Sequence, residues 1–475
     1  MKFHGTALVS CAALFVTTVI ATSNTENSSI NSKTPTHIIK LKNNSYNGIA
    51  AHNLIASKHR EYMLMSLRAA SLDERKKDKR DVPFMDSLLD QEAQLDEQNF
   101  LLQAQDMERQ LSLDHIKLDN EFVAISGIFP DNGFIDTIHN DHDVDYVEPN
   151  YIYKATFLLP EDDMTTLFNE QDSENNNKVY DKRTLSPNVD WGLSRINKRT
   201  LNELDSHDFD ESAGSGIEVF VLDSGVNIGH KDFEGRAKTT ANFIHHEDSI
   251  DLGGHGTHVA GKIAGKEYGV AKSANILSVK ILNRSGDGTL GNLVKGLSHV
   301  IQTATPGKAI VNLSLSGPKS KLIDEAISKL VNEYNIPVFV SAGNSGTDAC
   351  YFTPSSNPNV FSVGATDIND QVPYYSNTGT CVKLYAPGSN IKSTWIHSNN
   401  EETKVLDGTS MANPHVVGIA ASLMSKKTFN SPKELYQVIL SKATSNMLTF
   451  ASPVDPEINN NLIAFNENVL MKNKK

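Results

Sequence analysis

Apolar positions along this chain follow two rhythms, and the change between them divides it into units. His37-Ile38-Ile39-Lys40-Leu41 reads as a short strand, and from Ile49 to Ala70 apolar residues recur at helical spacing. A highly charged, glutamine-rich stretch from Asp73 to about Gln110 follows, and reads as a solvated helix or a loose insertion. Phe122 to Phe129 and Val144 to Tyr153 are strand-like again and flank a short helical piece from Phe134 to Ile138. That order predicts a small α+β sandwich. From about Pro160 to Pro187 the chain is polar, with Asn175-Asn176-Asn177 and the basic pair Lys182-Arg183, and offers little to a core but much to a protease.

From Trp191 to about Glu467 short β runs alternate with helical stretches. Strands are predicted at Ile217 to Leu222, Ile276 to Ile281, Ala309 to Leu315, Pro337 to Val340 and Val360 to Val363. Helices are predicted at His255 to Gly265, Leu290 to Gln302, Lys321 to Tyr334 and Ser410 to Met424. Alternation of this kind predicts an α/β fold, a mostly parallel sheet with helices on both faces. The units are therefore a leader over 1–21, a first domain over 35–155 with its charged insertion at about 73–110, a linker over 156–189, a second domain over 190–467 and a tail over 468–475.

Lys2 and His4 precede an apolar run from Ala7 to Ile20 and then Ala21-Thr22-Ser23, the layout of a secretory signal peptide cut near Ala21. A retained anchor is the rival reading, but the run is short of the about 20 residues that span a bilayer. No other segment has the length and apolarity of a membrane helix, so a soluble protein without a membrane partner is expected once the leader is gone. A formal net charge of -13 argues against nucleic-acid and anionic-membrane partners, which favour a basic face. Of three cysteines, Cys11 leaves with the leader. Cys350 and Cys381 remain, an even number in an oxidising compartment, and a disulfide is expected, two buried thiols being the alternative. Sequons stand at Asn27, Asn43, Asn283 and Asn312, the last inside a predicted core strand.

Four islands carry the chemistry. Val219-Phe220-Val221-Leu222 delivers Asp223 to the carboxyl end of a strand, where α/β sheets hold ligands, although a turn aspartate looks the same. Gly253-Gly254-His255-Gly256-Thr257-His258 opens a helix; a metal pair at His255 and His258 is the competing reading, but no third ligand sits at a usual spacing. His258 reads as a structural histidine. Gly408-Thr409-Ser410-Met411-Ala412 opens another helix, with Pro414 in the predicted first turn, and Ser410 is either a cap or a nucleophile. Ser341-Ala342-Gly343-Asn344 ends a strand with an amide that can face an oxyanion. Together the islands supply a nucleophile (Ser410), a base (His255), a carboxylate to orient that base (Asp223) and an oxyanion donor (Asn344).

The chain order Asp, His, Ser and these four motifs resemble the subtilisin-type serine proteases, and within them the proteinase K group and the fungal cerevisins (vacuolar proteinase B). Trp191 to Ile196, His230 to Glu234, Tyr268 to Ala271 and Cys381 to Gly388 extend the likeness over essentially all of 190–467. The resemblance implies a serine endopeptidase acting on proteins and peptides, needing no cofactor, secreted to the exterior or to a cell or spore wall, or delivered to a vacuole, as a monomer. It implies that Ser285-Gly286-Asp287 and Ser314-Leu315-Ser316 cradle the substrate backbone and that Ser341, Ala342 and Gly343 wall the main specificity pocket, which favours apolar or aromatic residues before the cut. The first domain resembles the propeptide of these enzymes, with Asp145 to Asn150 as its closing strand; it would assist folding, block the cleft and be cut away, anywhere from about 155 to 190 or after Lys182-Arg183.

Departures from the family change the expectations. Ser316 replaces a usual glycine and should narrow or polarise the pocket. Lys383 stands where proteinase K-like enzymes often place a calcium-binding aspartate, so that calcium site is expected to be lost. Asp407 and Asn413 replace commoner neighbours of the nucleophile, and the Asp407 carboxylate is expected to favour protonated His255. A degenerate, non-enzymatic scaffold is the second reading, opposed by the complete triad. An esterase is disfavoured, because the serine lacks a Gly-x-Ser-x-Gly elbow.

Overall fold

In the first domain the strands β1 (His37–Leu41), β2 (Asp114–Lys117), β3 (Val123–Gly127) and β4 (Val144–Pro149) form an antiparallel sheet in the order β2-β3-β1-β4. The computed structural model describes residues 35–42, 46–77, 86–119, 121–158, 190–201, 204, 209–452 and 459–467. The leader, Asn27 and Asn43, the linker beyond 158 with Lys182-Arg183, and the tail lie outside the described residues.

One face of this sheet is covered by helices. Ile39, Val123 and Ile125 pack there with Ile55 from helix Gly48–Lys77 and with Phe134 and Ile138 from helix Asn132–His139. Where the charged stretch is described it is helical: it continues the first helix to Lys77 and forms a second, Asp86–Gln110, cross-tied by Arg60 to Glu108 and by Arg68 to Glu97. Opposite charges facing one another across two helices offset the lack of an apolar face.

The second domain is built on a nine-stranded sheet. Its core strands are β6 (Glu218–Asp223), β7 (Ala237–Asn242), β8 (Asn275–Lys280), β10 (Ala309–Leu313), β12 (Val338–Ser341) and β13 (Phe361–Thr366), with Val382–Pro387 beyond β13; two short strands, β9 (Asp287–Thr289) and β11 (Leu315–Ser316), lie outside it. All neighbours pair in parallel except Thr444–Ser445 at one edge. Successive connections from β6 run to β8 and β7 on one side, whereas β10 and β12 lie on the other. The carboxyl end of β6 is thus a topological switch point, where crossovers diverge and leave a crevice. Asp223 is the last residue of β6.

Two helices point their first residues into that crevice, His255–Ala264 and Thr409–Met424. The second is apolar on all sides and buried from Thr409 to Ser422, as a helix inside a core must be. It begins one residue before the predicted start, so Pro414 stands in the second turn rather than the first. The carbonyl that Pro414 leaves without an amide is that of Ser410, and the Ser314 hydroxyl lies 3.4 Å from it.

The open face of the first sheet packs on the helices Leu290–Thr303 and Lys321–Asn332 of the second domain. Ile38, Ile116, Phe122 and Tyr146 share one apolar cluster with Leu293, Leu297, Ile323 and Ile327. Both helix starts are capped across the boundary. The Glu148 carboxylate accepts from the amides of Lys321 (2.8 Å) and Leu322 (3.3 Å), and Asn150 Oδ1 accepts from the amide of Gly291 (2.9 Å).

Candidate active site

Asp223 and His255 meet by construction. Asp223 leaves β6 fully buried, and the His255 Nδ1 lies 2.8 Å from its Oδ1, so Nδ1 carries the proton and Nε2 is left as a base. The amide of Ser224 also donates to Asp223 Oδ1, at 2.7 Å. The turn before His255 is held by Asp251, which the sequence reading missed. Its carboxylate accepts from the amides of Gly254 (2.8 Å) and Thr257 (2.9 Å) and from the hydroxyls of Thr257 (2.6 Å) and Ser224 (2.9 Å). An aspartate three to four residues before a predicted helix start was the available signal. Gly256 is needed for close approach: a Cβ there would stand 2.0 Å from the Gly225 carbonyl.

His258 points elsewhere. Its Nε2 lies 3.0 Å from the carbonyls of both Ile391 and Lys404, so it donates to them, and burial, with the Lys262 charge behind it, lowers its pKa to about 3. It is a structural, neutral imidazole.

Ser410 stands in the first turn of its helix. Its hydroxyl donates to the Ser314 carbonyl (3.0 Å), and the buried His255 Nε2 has no hydrogen-bond partner among the described residues. The third link of the triad is therefore not made in this state, contrary to the sequence expectation. The reason is Thr156, the residue that directly follows the first domain. Thr156 Oγ1 lies 2.6 Å from Ser410 Oγ and 2.9 Å from Ser341 Oγ, and the Thr156 amide donates to Ser410 Oγ at 3.2 Å.

Thr156 arrives on β5 (Ile152–Ala155), which lies antiparallel between β9 and β11 as the middle strand of three. Of the residues expected to cradle a peptide, Gly286 accepts the Ala155 amide (2.9 Å), Asp287 pairs with Lys154, Ser314 accepts the Thr156 amide (3.4 Å), Leu315 pairs with Ala155 and Ser316 with Lys154. Ser285 contributes only to the turn, its amide held by Asn283 Oδ1. Beside them Ser341 touches Thr156, Ala342 gives its carbonyl to Asn377, and Gly343 turns with φ +102. A Cβ on Gly343 would stand 3.4 Å from Ser316 Oγ, so the serine hydroxyl does reach the pocket wall.

Asn344 is fixed by its oxygen, which accepts from the amide (3.0 Å) and hydroxyl (2.8 Å) of Thr409; its Nδ2 is buried without a partner among the described residues. The Thr156 carbonyl accepts from the Ser410 amide at 3.3 Å. Both groups crowd Gly408, whose Cβ would meet the Thr156 oxygen at 2.5 Å and Asn344 Nδ2 at 2.9 Å; its φ of +149 is also glycine's. An amide with no partner, held beside a carbonyl already on a backbone N–H, is ready for an oxygen that gains charge. Asp407 is turned away, its Oδ1 accepting from the amide of Asn390 (2.6 Å). Cys350 and Cys381 are joined in a disulfide. Asn312 is buried, its side chain bonded to Asn413 (2.9 Å) and Ser314 (3.1 Å), which closes that sequon to a sugar in the folded protein.

The chain is similar to known proteins. Residues 214–462 match the model of the subtilase family (peptidase S8). Subtilisin-like protease 2 of Pseudogymnoascus destructans is 40% identical over 278 residues, 58% of this chain and 68% of that relative. Cerevisin of Saccharomyces cerevisiae is 37% identical over 324 residues, 66% of this chain but 47% of its own length. Among solved structures, a cold-adapted subtilisin-like serine proteinase superposes with a TM-score of 0.54 at 36% identity, covering 59% of this chain and 98% of that one.

Proposed function

Since this chain belongs to the subtilase family of serine endopeptidases, we propose that it is made as a zymogen, blocked by its own first domain, and cuts peptide bonds through an acyl-enzyme on Ser410. The observation that carries this reading is the strand Ile152–Ala155, laid between two edges of the cleft and ending with the Thr156 carbonyl on the Ser410 amide. A peptide bound there adds a strand, so backbone hydrogen bonds supply affinity and a range of side chains is accepted. His255 takes the Ser410 proton on Nε2 while Asp223 holds the ring and balances its charge. The Ser410 amide and Asn344 Nδ2 receive the oxyanion. Asn344→Leu is expected to lower kcat by about 10²–10³-fold with KM nearly unchanged; a loss below tenfold would remove Asn344 from this role.

The first domain inhibits by filling the cleft. It also assists folding, because Glu148 and Asn150 bind first-turn amides of two helices that Ser320 and Thr289 cap only at their third amide. The leader and the disulfide support a secretory route, ending outside the cell, in a wall or in a vacuole, and the enzyme acts as a monomer on protein substrates. Among the described residues no helix is long and apolar enough to cross a membrane. The calcium site of related enzymes does not fit here: the half-buried residue at 383 is a lysine, whose side chain offers a cation a positive charge and no ligand oxygen. The melting temperature is expected to be the same with and without a calcium chelator. A clear drop on chelation would restore the metal.

Labelling with a serine-directed fluorophosphonate tests the whole reading. Label is expected on Ser410 in the processed chain and none in Ser410→Ala. Processed protein that neither labels nor cleaves a denatured protein substrate would instead be the non-enzymatic scaffold.

A further inference from the structure

The segment crossing the cleft is held as a substrate would be, and its register singles out one bond. We infer that the chain cuts itself between Thr156 and Phe157, and that Tyr153 to Leu158 display the kind of peptide the mature cleft prefers. The inference rests on the protease reading above and specifies where that chemistry falls.

Three sets of contacts fix the register. Before the bond, Tyr153 pairs with Gly288, Lys154 with both Asp287 and Ser316, and Ala155 with Leu315. At the bond, the Thr156 carbonyl accepts from the Ser410 amide beside Asn344. After it, the Phe157 ring lies 5.0 Å from the His255 ring, centre to centre. Leu158 then pairs with Asp407 in both directions, at 2.6 and 3.0 Å. A slip of one residue would turn every side chain to the opposite face and lose pairing on both sides of Ser410 together.

Two side chains anchor that register. Tyr153 is fully buried against Gly317, where a Cβ would stand 2.5 Å from its ring, and its hydroxyl donates to the Pro318 carbonyl at 2.7 Å. A phenol fits there because the slot is apolar along its walls and ends in an acceptor. Thr156 places a small hydroxylated side chain against Ser341. The pocket next to the cut thus suits a short polar residue, and the expected preference for apolar or aromatic residues moves to the position of Tyr153.

In the reaction the Ser410 hydroxyl leaves the Ser314 carbonyl by rotation about Cα–Cβ and attacks the Thr156 carbonyl carbon, passing its proton to His255 Nε2. The oxyanion stays on the Ser410 amide and Asn344. The bond to the Phe157 nitrogen breaks as His255 returns the proton to it, giving a Phe157 amine and a Thr156 ester. Water, deprotonated by His255, then hydrolyses the ester, releasing a Thr156 carboxylate and restoring the serine.

Intact masses of the fragments from the freshly purified full chain test this. The expected pair is a fragment ending at Thr156 and one beginning at Phe157, absent from Ser410→Ala. Phe157→Pro, which makes the bond a tertiary amide and restricts Thr156, is expected to abolish that pair. With processed enzyme, the peptide Ile-Tyr-Lys-Ala-Thr-Phe-Leu is expected to be cut after Thr, and replacing its Tyr by Ala should lower kcat/KM at least about tenfold. A fluorophosphonate-reactive enzyme whose earliest cut lies elsewhere, such as after Arg183, would overturn the assignment and leave the protease reading intact. Cutting of the peptide at another bond, or indifference to its Tyr, would overturn the proposed preference. A chain that neither cuts itself nor labels would sink both readings.

Discussion

Ser410→Ala is expected to reduce peptide hydrolysis by about 10⁶-fold, on the order of 8 kcal/mol of lost transition-state stabilisation, and to leave the chain in one piece. Ser341 Oγ, another hydroxyl of the cleft, contacts the Thr156 side chain rather than its carbonyl. Folding should survive, because the Thr156 amide keeps the Ser314 carbonyl as acceptor at 3.4 Å, and losing the other bonds costs only about 1 kcal/mol each. The measurement is hydrolysis of a peptide by purified variant, with melting temperature as the check on folding. Residual activity above one part in about 10³, free of contaminating protease, would mean that another group is the nucleophile.

Asp223→Asn is expected to lower kcat by about 10⁴-fold, some 5.5 kcal/mol, with KM little changed. Both bonds to Oδ1 come from donors, the Ser224 amide at 2.7 Å and His255 Nδ1 at 2.8 Å. An asparagine that keeps its oxygen toward Ser224 still lacks the charge that balances an imidazolium. One that turns its NH₂ to His255 moves the ring proton to Nε2, where the base must be bare. Either way a folded enzyme with an intact peptide cleft has its base disabled. Steady-state kinetics check this, and a loss below about tenfold would show that the buried pair is structural.

Which parts were legible in the sequence follows from the range of the forces involved. Asp223 could be placed because Val219 to Leu222 is apolar throughout, and such a strand is buried and ends in the crevice. Strand β7, Ala237–Asn242, escaped notice because an edge strand needs no apolar face. Helix Asp86–Gln110 was ambiguous because it is tied by ion pairs to another helix. Asp251 was overlooked because its partners Ser224 and Thr257 are drawn together only when β6 meets the His255 helix.

Local sequence determined the order of strands and helices, the residue types at their ends, and hence a nucleophile, a base, a carboxylate and an amide on offer, since apolar period and helix-start chemistry act over a few residues. Only the tertiary structure decided that Tyr153 to Leu158 would lie across the cleft and that the Ser410 hydroxyl would turn to Ser314 rather than to His255. Backbone pairing between distant strands depends on register, and no single segment encodes the register of two others.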